Sequence, residues 1–494
     1  MPGPRPDLNT LAKEHWDLLV IGGGVTGAGI LHQAAQLGIK AVLIEKHDFA
    51  WGTSSRSSKM VHGGLRYLKQ GDLRLTRESL QERERLIKAL PELVVRQHCL
   101  MPLRRGQFPG RWAMTLALSL YDLLAGVRDH QWLPATTLQA RVPGLDLAPL
   151  AGAMRYSDAM TDDSRLVLRL LHEAAGEGGT AMNYCTVLSV SHHESGEQQV
   201  RVRDADGTEA MIRAGAVINA TGAWADQLSG ASPRVRPQRG SHLFVPAERL
   251  PVEDCMTLIN PRDQRPVFVF PWEGCTCIGT TDLDHRDDPG REPRATDEEV
   301  DYLLSLANGY FPDAKLVRGD IIATMAGVRP IIASGKGRDP SAERRDHAVW
   351  QQEGVVTVSG GKLTTFRVIA LDALVAAGCV SRQRARQLRR AAPTFRHADR
   401  LPEGLGHPLK PWPTGERLHQ QVNWMLAHEQ VRHLDDLMLR RTRLGLLHEQ
   451  AGDTVLEELR PLVCQQLGWD EQRWHRERDR YLDIHQRAYR GAPA

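Results

Sequence analysis

No run of this 494-residue sequence reaches the roughly 18 consecutive apolar residues that a membrane-spanning helix needs. The opening stretch, Met1 to His15, is short and polar and lacks the apolar core of a secretory signal. Cysteine is scarce: there are 7, irregularly placed, which suits a reducing compartment. Cys275 and Cys277 lie close together, but no second Cys or His pair stands nearby to complete a zinc site, so no metal is expected. Charge of one sign is lacking as well. A net charge of +3 is too small to argue for a nucleic-acid partner. No internal repeat is visible. These absences leave an ordinary globular chain, expected in the cytoplasm or on a membrane surface facing it.

What is present is enough for two or three domains, because single cores stop growing near roughly 250–300 residues. Hydrophobic content of 41% and charged content of 25% are ordinary for such a chain. Trp16 to Ile21 is an apolar run, Gly22 to Gly29 a glycine-rich turn, Ala28 to Leu37 a helix of small residues ended by Gly38, and Ala41 to Glu45 a second buried strand. This is a βαβ start to a parallel sheet. Gly52 to Gly64 reads as a Ser- and Gly-rich loop, and Leu73 to Ala89 as a charged helix stopped by Pro91. Further strands are expected at Ser241 to Val245, Val267 to Phe270, Thr276 to Thr281 and Val355 to Ser359, with a helix from Leu363 to Ala377. After Ser381 an Arg-rich helical stretch leads through a Pro-interrupted linker, Leu401 to Pro413, into a closing helical segment that looks separate from the rest.

Four segments carry chemistry. The first is Gly22-x-Gly24-x-x-Gly27 between strand and helix. Glycine allows the tight turn and lets backbone N–H groups approach a pyrophosphate at the positive end of the helix. Glu45 follows about twenty residues on, where a carboxylate accepts hydrogen bonds from an adenosine ribose. The second is Thr53-Ser54-Ser55-Arg56-Ser57-Ser58-Lys59 with His62-Gly63-Gly64. Its hydroxyls, amides and lysine suit a second stretch of pyrophosphate and a flavin edge, where a simple NAD domain would continue with helix and strand. The third, Val217 to Gly222, runs a strand into Thr221-Gly222. The fourth, Ser359 to Phe366, leads Gly360-Gly361-Lys362-Leu363-Thr364 into a helix N-terminus suited to the negative charge of a reduced flavin. The cofactor expected is FAD, held by one discontinuous domain.

These segments, together with Gly240-Ser241-His242-Leu243, Ile278 to Asp282 and Gly327-Val328-Arg329-Pro330, carry a resemblance. The chain resembles the FAD-dependent, aerobic (respiratory) glycerol-3-phosphate dehydrogenases, within the wider D-amino-acid-oxidase-like flavoproteins. The match runs from Trp16 to about Ala377 and resumes in the final helices. It implies an α/β (α+β overall) fold: a Rossmann-like FAD-binding domain over residues 16–100, 151–239 and 345–380, and a mixed-sheet substrate domain over residues 101–150 and 240–344. Residues 381–414 form a linker and residues 415–494 a C-terminal helical cap. The family usually has a larger cap, and the stretch between Ala377 and Gly415 is short here.

Carried onto this sequence, the resemblance implies a substrate pocket of Arg66, Tyr67, His242, Thr281, Arg329, Arg345 and Lys362. Most of these are cationic, as a phosphate dianion requires. The implied reaction is oxidation of sn-glycerol 3-phosphate to dihydroxyacetone phosphate. His242, with an ordinary pKa of about 6.5, suits the base, while Arg329 and Lys362 suit the developing alkoxide and the phosphate. The implied acceptor is a membrane quinone, reached from a peripheral position on the cytoplasmic face. Arg104, Arg105, Arg111 and Trp112, beside the apolar stretch Ala113 to Leu124, fit a helix lying in the interface. An oxygen-using glycerol-3-phosphate oxidase, an amino-acid or sarcosine-type flavin oxidase, and a homodimer stay open.

Overall fold

The structure, a computed structural model, describes residues 5–69, 71–193, 196–228, 234–288, 290–333, 346–397 and 401–490, and for Arg66 and Lys69 only the backbone. Two sheets organise it. In the first, His15–Ile21 pairs in parallel with Ala41–Ile44 on one side and Glu209–Asn219 on the other. Val355–Gly360 continues the parallel array beyond Glu209–Asn219. The inner strands are near-continuous apolar runs because both faces are covered, one by the helices Val25–Gln36, Asp163–Gly176 and Phe366–Ala376, the other by the short helix Leu8–Lys13 and the strands Cys185–His192 and Gln198–Asp204. One of these helices, Val25–Gln36, begins three residues before the expected Ala28, since Gly24 already serves as its N-cap.

That helix packs closely because its glycines leave no side chain in the way. A Cβ on Gly27 would lie 1.9 Å from the carbonyl oxygen of Gly22, and one on Gly29 would meet the Phe366 ring at 2.8 Å. The third glycine of the motif therefore seats the helix on the strand. At Gly22 the reason differs: its φ is +109°, a region that side-chain-bearing residues rarely adopt.

The second sheet is mostly antiparallel. Val235–Pro246 lies between Cys275–Gly279 and Ala323–Ile332, placing His242 opposite Gly279 on one side and Met325 on the other. Two long strands, Val94–Arg104 and Leu150–Thr161, pair along their whole length in this sheet. They straddle the expected domain boundaries, so residues 150–161 stand in the second sheet and not with the cofactor-binding strands. The apolar stretch after Arg111 is a helix, Arg111–Ala125.

The C-terminal helices are not a detached unit. Met425, Leu434, Met438, Trp474 and Tyr481 share one hydrophobic core with Phe244, Phe270, Trp272 and Met325 of the second sheet. On the other side, the segment Leu437–Arg441 is wound as a π-helix. Successive residues of a regular helix diverge by about 100°; here two consecutive side chains, Arg440 and Arg441, both reach Asp48, at 2.6 Å each. Arg165 pairs with Glu429 at 2.7 Å, and Arg443 with Asp162 at 2.9 Å.

His32, buried in Val25–Gln36, stacks on Phe395 with ring centroids 5.3 Å apart. Burial, and then Arg169, pull its pKa down to about 3. The unfolded chain protonates this histidine below about pH 6.5 while the native state does not, so stability falls as pH drops from 6.5 toward 3. Urea unfolding at pH 7 and pH 5 measures the effect. Replacing His32 with Leu is expected to shrink the acid-induced loss by about 2 kcal/mol, the linkage contribution of one such group over that interval.

Candidate functional site

A cavity of about 1930 Å³ takes its walls from both sheets. One end is lined by Gly22, Gly24, Val25, Thr26 and Glu45, where the first turn of Val25–Gln36 presents its amides. Val25 N–H donates to Ser54 Oγ at 2.9 Å, and a Cβ on Gly24 would lie 3.0 Å from that same oxygen. The Glu45 carboxylate accepts from the amides of Gly23 at 2.5 Å and His47 at 2.7 Å. Burial raises its pKa. A bare, amide-lined helix start next to a buried carboxylate suits a diphosphate followed by a ribose.

The wall continues through Thr53, Ser54, Ser57, Ser58, His62 and Gly64, faced by Thr221, Gly222, Gly361, Lys362, Leu363 and Thr364. Hydrogen bonds bring these distant stretches together. Thr364 Oγ1 accepts from His62 N–H and donates to His62 O, both at 3.2 Å. Ser359 Oγ donates to Gly222 O at 2.8 Å, and Thr53 Oγ1 donates to Val328 O. The geometry fits an extended dinucleotide running from Gly22 toward Gly361.

Some expected contacts are placed elsewhere. Gly27 packs helix on strand, as above. Gly63 lies off the wall, its N–H donating to Tyr121 Oη at 3.0 Å and Asp158 Oδ1 at 3.2 Å. Ser55 and Lys59 are buried behind the wall. Lys59 Nζ donates to Ser55 O and Asp163 Oδ1, each at 2.7 Å, because a fully buried ammonium requires a carboxylate partner.

Of the expected substrate residues, Tyr67, Thr281, Arg329 and Lys362 line the same cavity. The Lys362 ammonium sits 3.6 Å from the centre of the Tyr67 ring and donates to Ser79 Oγ at 2.9 Å. Arg329 donates to Thr280 Oγ1 at 2.8 Å and to Thr281 O at 3.3 Å. Its guanidinium lies over Gly240, where a Cβ would stand 2.2 Å from a guanidinium nitrogen. Arg345, and the side chain of Arg66, lie outside the described residues.

His242 is brought to the site but not onto its wall. It is fully buried, with Nε2 3.0 Å from Ser58 Oγ, and Ser58 stands between it and the cavity. Its pKa lies well below the ordinary 6.5, through burial first and then the charges of Arg329 and Lys59. The ordinary value used in the sequence reading therefore does not carry over to this buried ring, whose affinity for a proton is reduced. Across from it, Gly279 leaves room for the imidazole, since a Cβ there would lie 2.1 Å from Cδ2.

The sequence reading passed over Arg56, Trp51, Trp224 and Asp158, all on the wall. Arg56 sits within the motif itself; its guanidinium lies 5.2 Å from the Trp51 ring and donates to Tyr489 Oη at 2.9 Å. Tyr489 is 433 positions away, so no local pattern announces the pair. Farther along, the cavity becomes apolar and reaches the helix Arg111–Ala125, where Phe108 and Leu116 both line it and stand 86% and 74% exposed. Trp112 and Leu123 extend the exposed apolar stripe, with Arg111 stacked 5.1 Å over Trp112. Arg104 turns instead to the Tyr310 ring, and Arg105 to Leu150 O. No helix among the described residues is long and apolar enough to cross a membrane.

Comparison with known proteins agrees with this geometry. The FAD dependent oxidoreductase (DAO) family matches residues 17–408, and the C-terminal domain of alpha-glycerophosphate oxidase matches residues 394–474. The aerobic glycerol-3-phosphate dehydrogenase of Staphylococcus saprophyticus is 34% identical over 373 residues, covering 73% of this chain and 67% of that protein. Its counterpart in Staphylococcus haemolyticus is 35% identical over the same shares. The glycerol-3-phosphate dehydrogenase of Bacillus halodurans, solved with FAD, has the same fold, with a TM-score of 0.72 at 24% identity over 97% of this chain and 96% of that one. The L-alpha-glycerophosphate oxidase of Mycoplasma pneumoniae, also with FAD bound, gives 0.61 at 18% identity over 74% and 95%. With a glycine-lined cradle, a carboxylate at the ribose position and these relatives, the chain belongs to the FAD-dependent oxidoreductases of the DAO family, in the branch that carries the alpha-glycerophosphate oxidase C-terminal domain.

Proposed function

We propose that this chain oxidises sn-glycerol 3-phosphate to dihydroxyacetone phosphate and passes the electrons to a quinone from the cytoplasmic face of a membrane. The observation that carries the reading is the pair of cations, Lys362 and Arg329, on the wall that also forms the flavin cradle. When bound, FAD supplies the acceptor for the hydride leaving C2 of the substrate. An amino-acid oxidase needs one clamp for a carboxylate; two cations with a buried tyrosine suit a phosphate dianion.

The chain's own groups divide the work. Lys362, braced by Tyr67 and Ser79, holds the phosphate. Arg329, aimed by Thr280 and Thr281, stabilises negative charge developing on the C2 oxygen. The hydroxyl proton passes to Ser58 Oγ as Ser58 gives its own proton to His242 Nε2. His242 is unprotonated and able to accept, and a dianionic substrate nearby raises its otherwise weak affinity for the proton. Electron exit toward a quinone is supported by the apolar arm of the cavity, which ends at the exposed stripe Phe108, Trp112 and Leu116.

Anaerobic mixing with glycerol 3-phosphate is expected to bleach the flavin band, and amino acids are expected to leave it intact; the opposite pattern sinks the substrate reading. Gly240→Ala pushes a methyl group into the Arg329 guanidinium, and the rate of bleaching is expected to fall on the order of 100-fold, as misplacement by about 1 Å does. The double change Trp112→Ser and Leu116→Ser is expected to leave bleaching unaltered while abolishing vesicle binding and slowing quinone reduction. Full quinone turnover by that protein in detergent-free solution would exclude the membrane route.

A further inference from the structure

The closing motif Leu437 to Gly445 takes no part in the proposed chemistry, yet its last arginine reaches the back of the active-site loop. Arg443 Nη1 donates to Ser55 O at 3.1 Å and to Leu439 O at 2.7 Å. Its Nη2 donates to Asp162 Oδ1 at 2.9 Å and Asp163 Oδ1 at 2.5 Å. The same Asp163 carboxylate accepts from Lys59 Nζ at 2.7 Å and from Ser57 N–H at 2.8 Å. Lys59 Nζ returns to Ser55 O at 2.7 Å. Ser55 O, Ser57 N and Lys59 are thus all held from behind, and Ser58, between the last two, turns its hydroxyl to His242.

We propose that Arg443 is a positioning residue: by clamping the backbone of Ser55 to Lys59 it holds Ser58 Oγ against His242 Nε2. Resting on the proton route given above, this assigns the C-terminal segment a part in the reaction. A planar guanidinium supplies donors in several fixed directions, and here it serves two backbone carbonyls and two carboxylates at once; a lysine ammonium cannot reach all four. Both ends of the clamp hold left-handed backbone, φ +59° at Lys59 and +60° at Arg443, a conformation kept by non-glycine residues where surroundings over-determine it. Arg165 and Glu429 form a comparable buried pair between the C-terminal segment and the cofactor half, but touch nothing in the loop.

That contrast provides the test, made on the full-length holoenzyme. Arg443→Lys is expected to slow flavin reduction at saturating glycerol 3-phosphate by on the order of tenfold or more, with substrate affinity changed much less. Ser58→Ala is expected to slow it equally, and the double variant no further, because both break one chain of contacts. Arg165→Lys is expected to lower the unfolding temperature comparably while keeping the wild-type rate. A wild-type rate in Arg443→Lys, or equal slowing in Arg165→Lys, overturns the proposal. Should Arg443→Lys not fold, Asp162→Asn takes its place, since it loosens the guanidinium and keeps the helix cap; a wild-type rate there is equally fatal. Titrating apoprotein with FAD gives a second readout independent of the substrate. Thr53, Ser54 and Ser57 line the cradle, so Arg443→Lys is expected to weaken FAD binding about tenfold. If glycerol 3-phosphate fails to bleach the wild-type flavin, the substrate reading fails, and unchanged FAD affinity in the variant then overturns this one.

Discussion

Three arginines withdrawn from water, Arg440, Arg441 and Arg443, set the terms on which the C-terminal segment joins the rest of the molecule. Taking a charge into the interior carries a penalty of several kcal/mol, which attraction and hydrogen bonding offset only when geometry is good. The matching carboxylates come from far away in sequence: Asp48 from the loop after the strand Ala41–Ile44, and Asp162 and Asp163 from the start of the helix Asp163–Gly176. Asp435 and Asp436 complete the set locally. Neither side is satisfied alone, so the segment cannot leave without stranding charge on both faces. Hydrophobic contact with the second sheet adds affinity without direction; the ion pairs fix the register.

The same economy of space governs the strands beside the cavity. Arg329 and His242 sit on neighbouring strands, and each occupies volume that a side chain at Gly240 or Gly279 would fill. Any other residue would place a Cβ at these positions and crowd the guanidinium or the imidazole. Glycine beside a large polar group lets the sheet hold it inward while the hydrogen-bond ladder stays intact. The depressed pKa of His242 follows from that burial and from the Arg329 charge nearby.

What the sequence made legible was local. Gly22, Gly24 and Glu45 announced themselves because strand, turn and helix follow one another within some thirty residues, and each glycine has a geometric reason. The segments around Gly361 and Thr221 were legible for the same cause. Lys59 misled because composition cannot tell a lysine facing a phosphate from one facing a carboxylate behind the wall; only Asp163, 104 positions on, decides it. His242 misled through its reference pKa, which says nothing about burial. The strand Leu150–Thr161 was hidden because its inward residues include Ser157, Asp158 and Thr161, polar groups that find partners in the folded state and break the apolar signal. The separateness of the C-terminal helices was inferred from a change in composition, and composition does not register a shared core.

The cavity itself orders the chemistry. Its amide- and hydroxyl-lined end is suited to the dinucleotide, its cationic middle to an anionic substrate, and its apolar arm to a lipid-soluble acceptor. An anion is excluded from the arm by the loss of hydration there, and an apolar ring gains nothing from the cationic middle. The helix Arg111–Ala125 serves both as wall and as surface: its inner face, through Met114 and Leu118, belongs to the core of the second sheet, while Leu116 and Trp112 face outward. Fifteen residues make it too short to span a bilayer, and its exposed apolar residues stand on the side at which the apolar arm of the cavity opens.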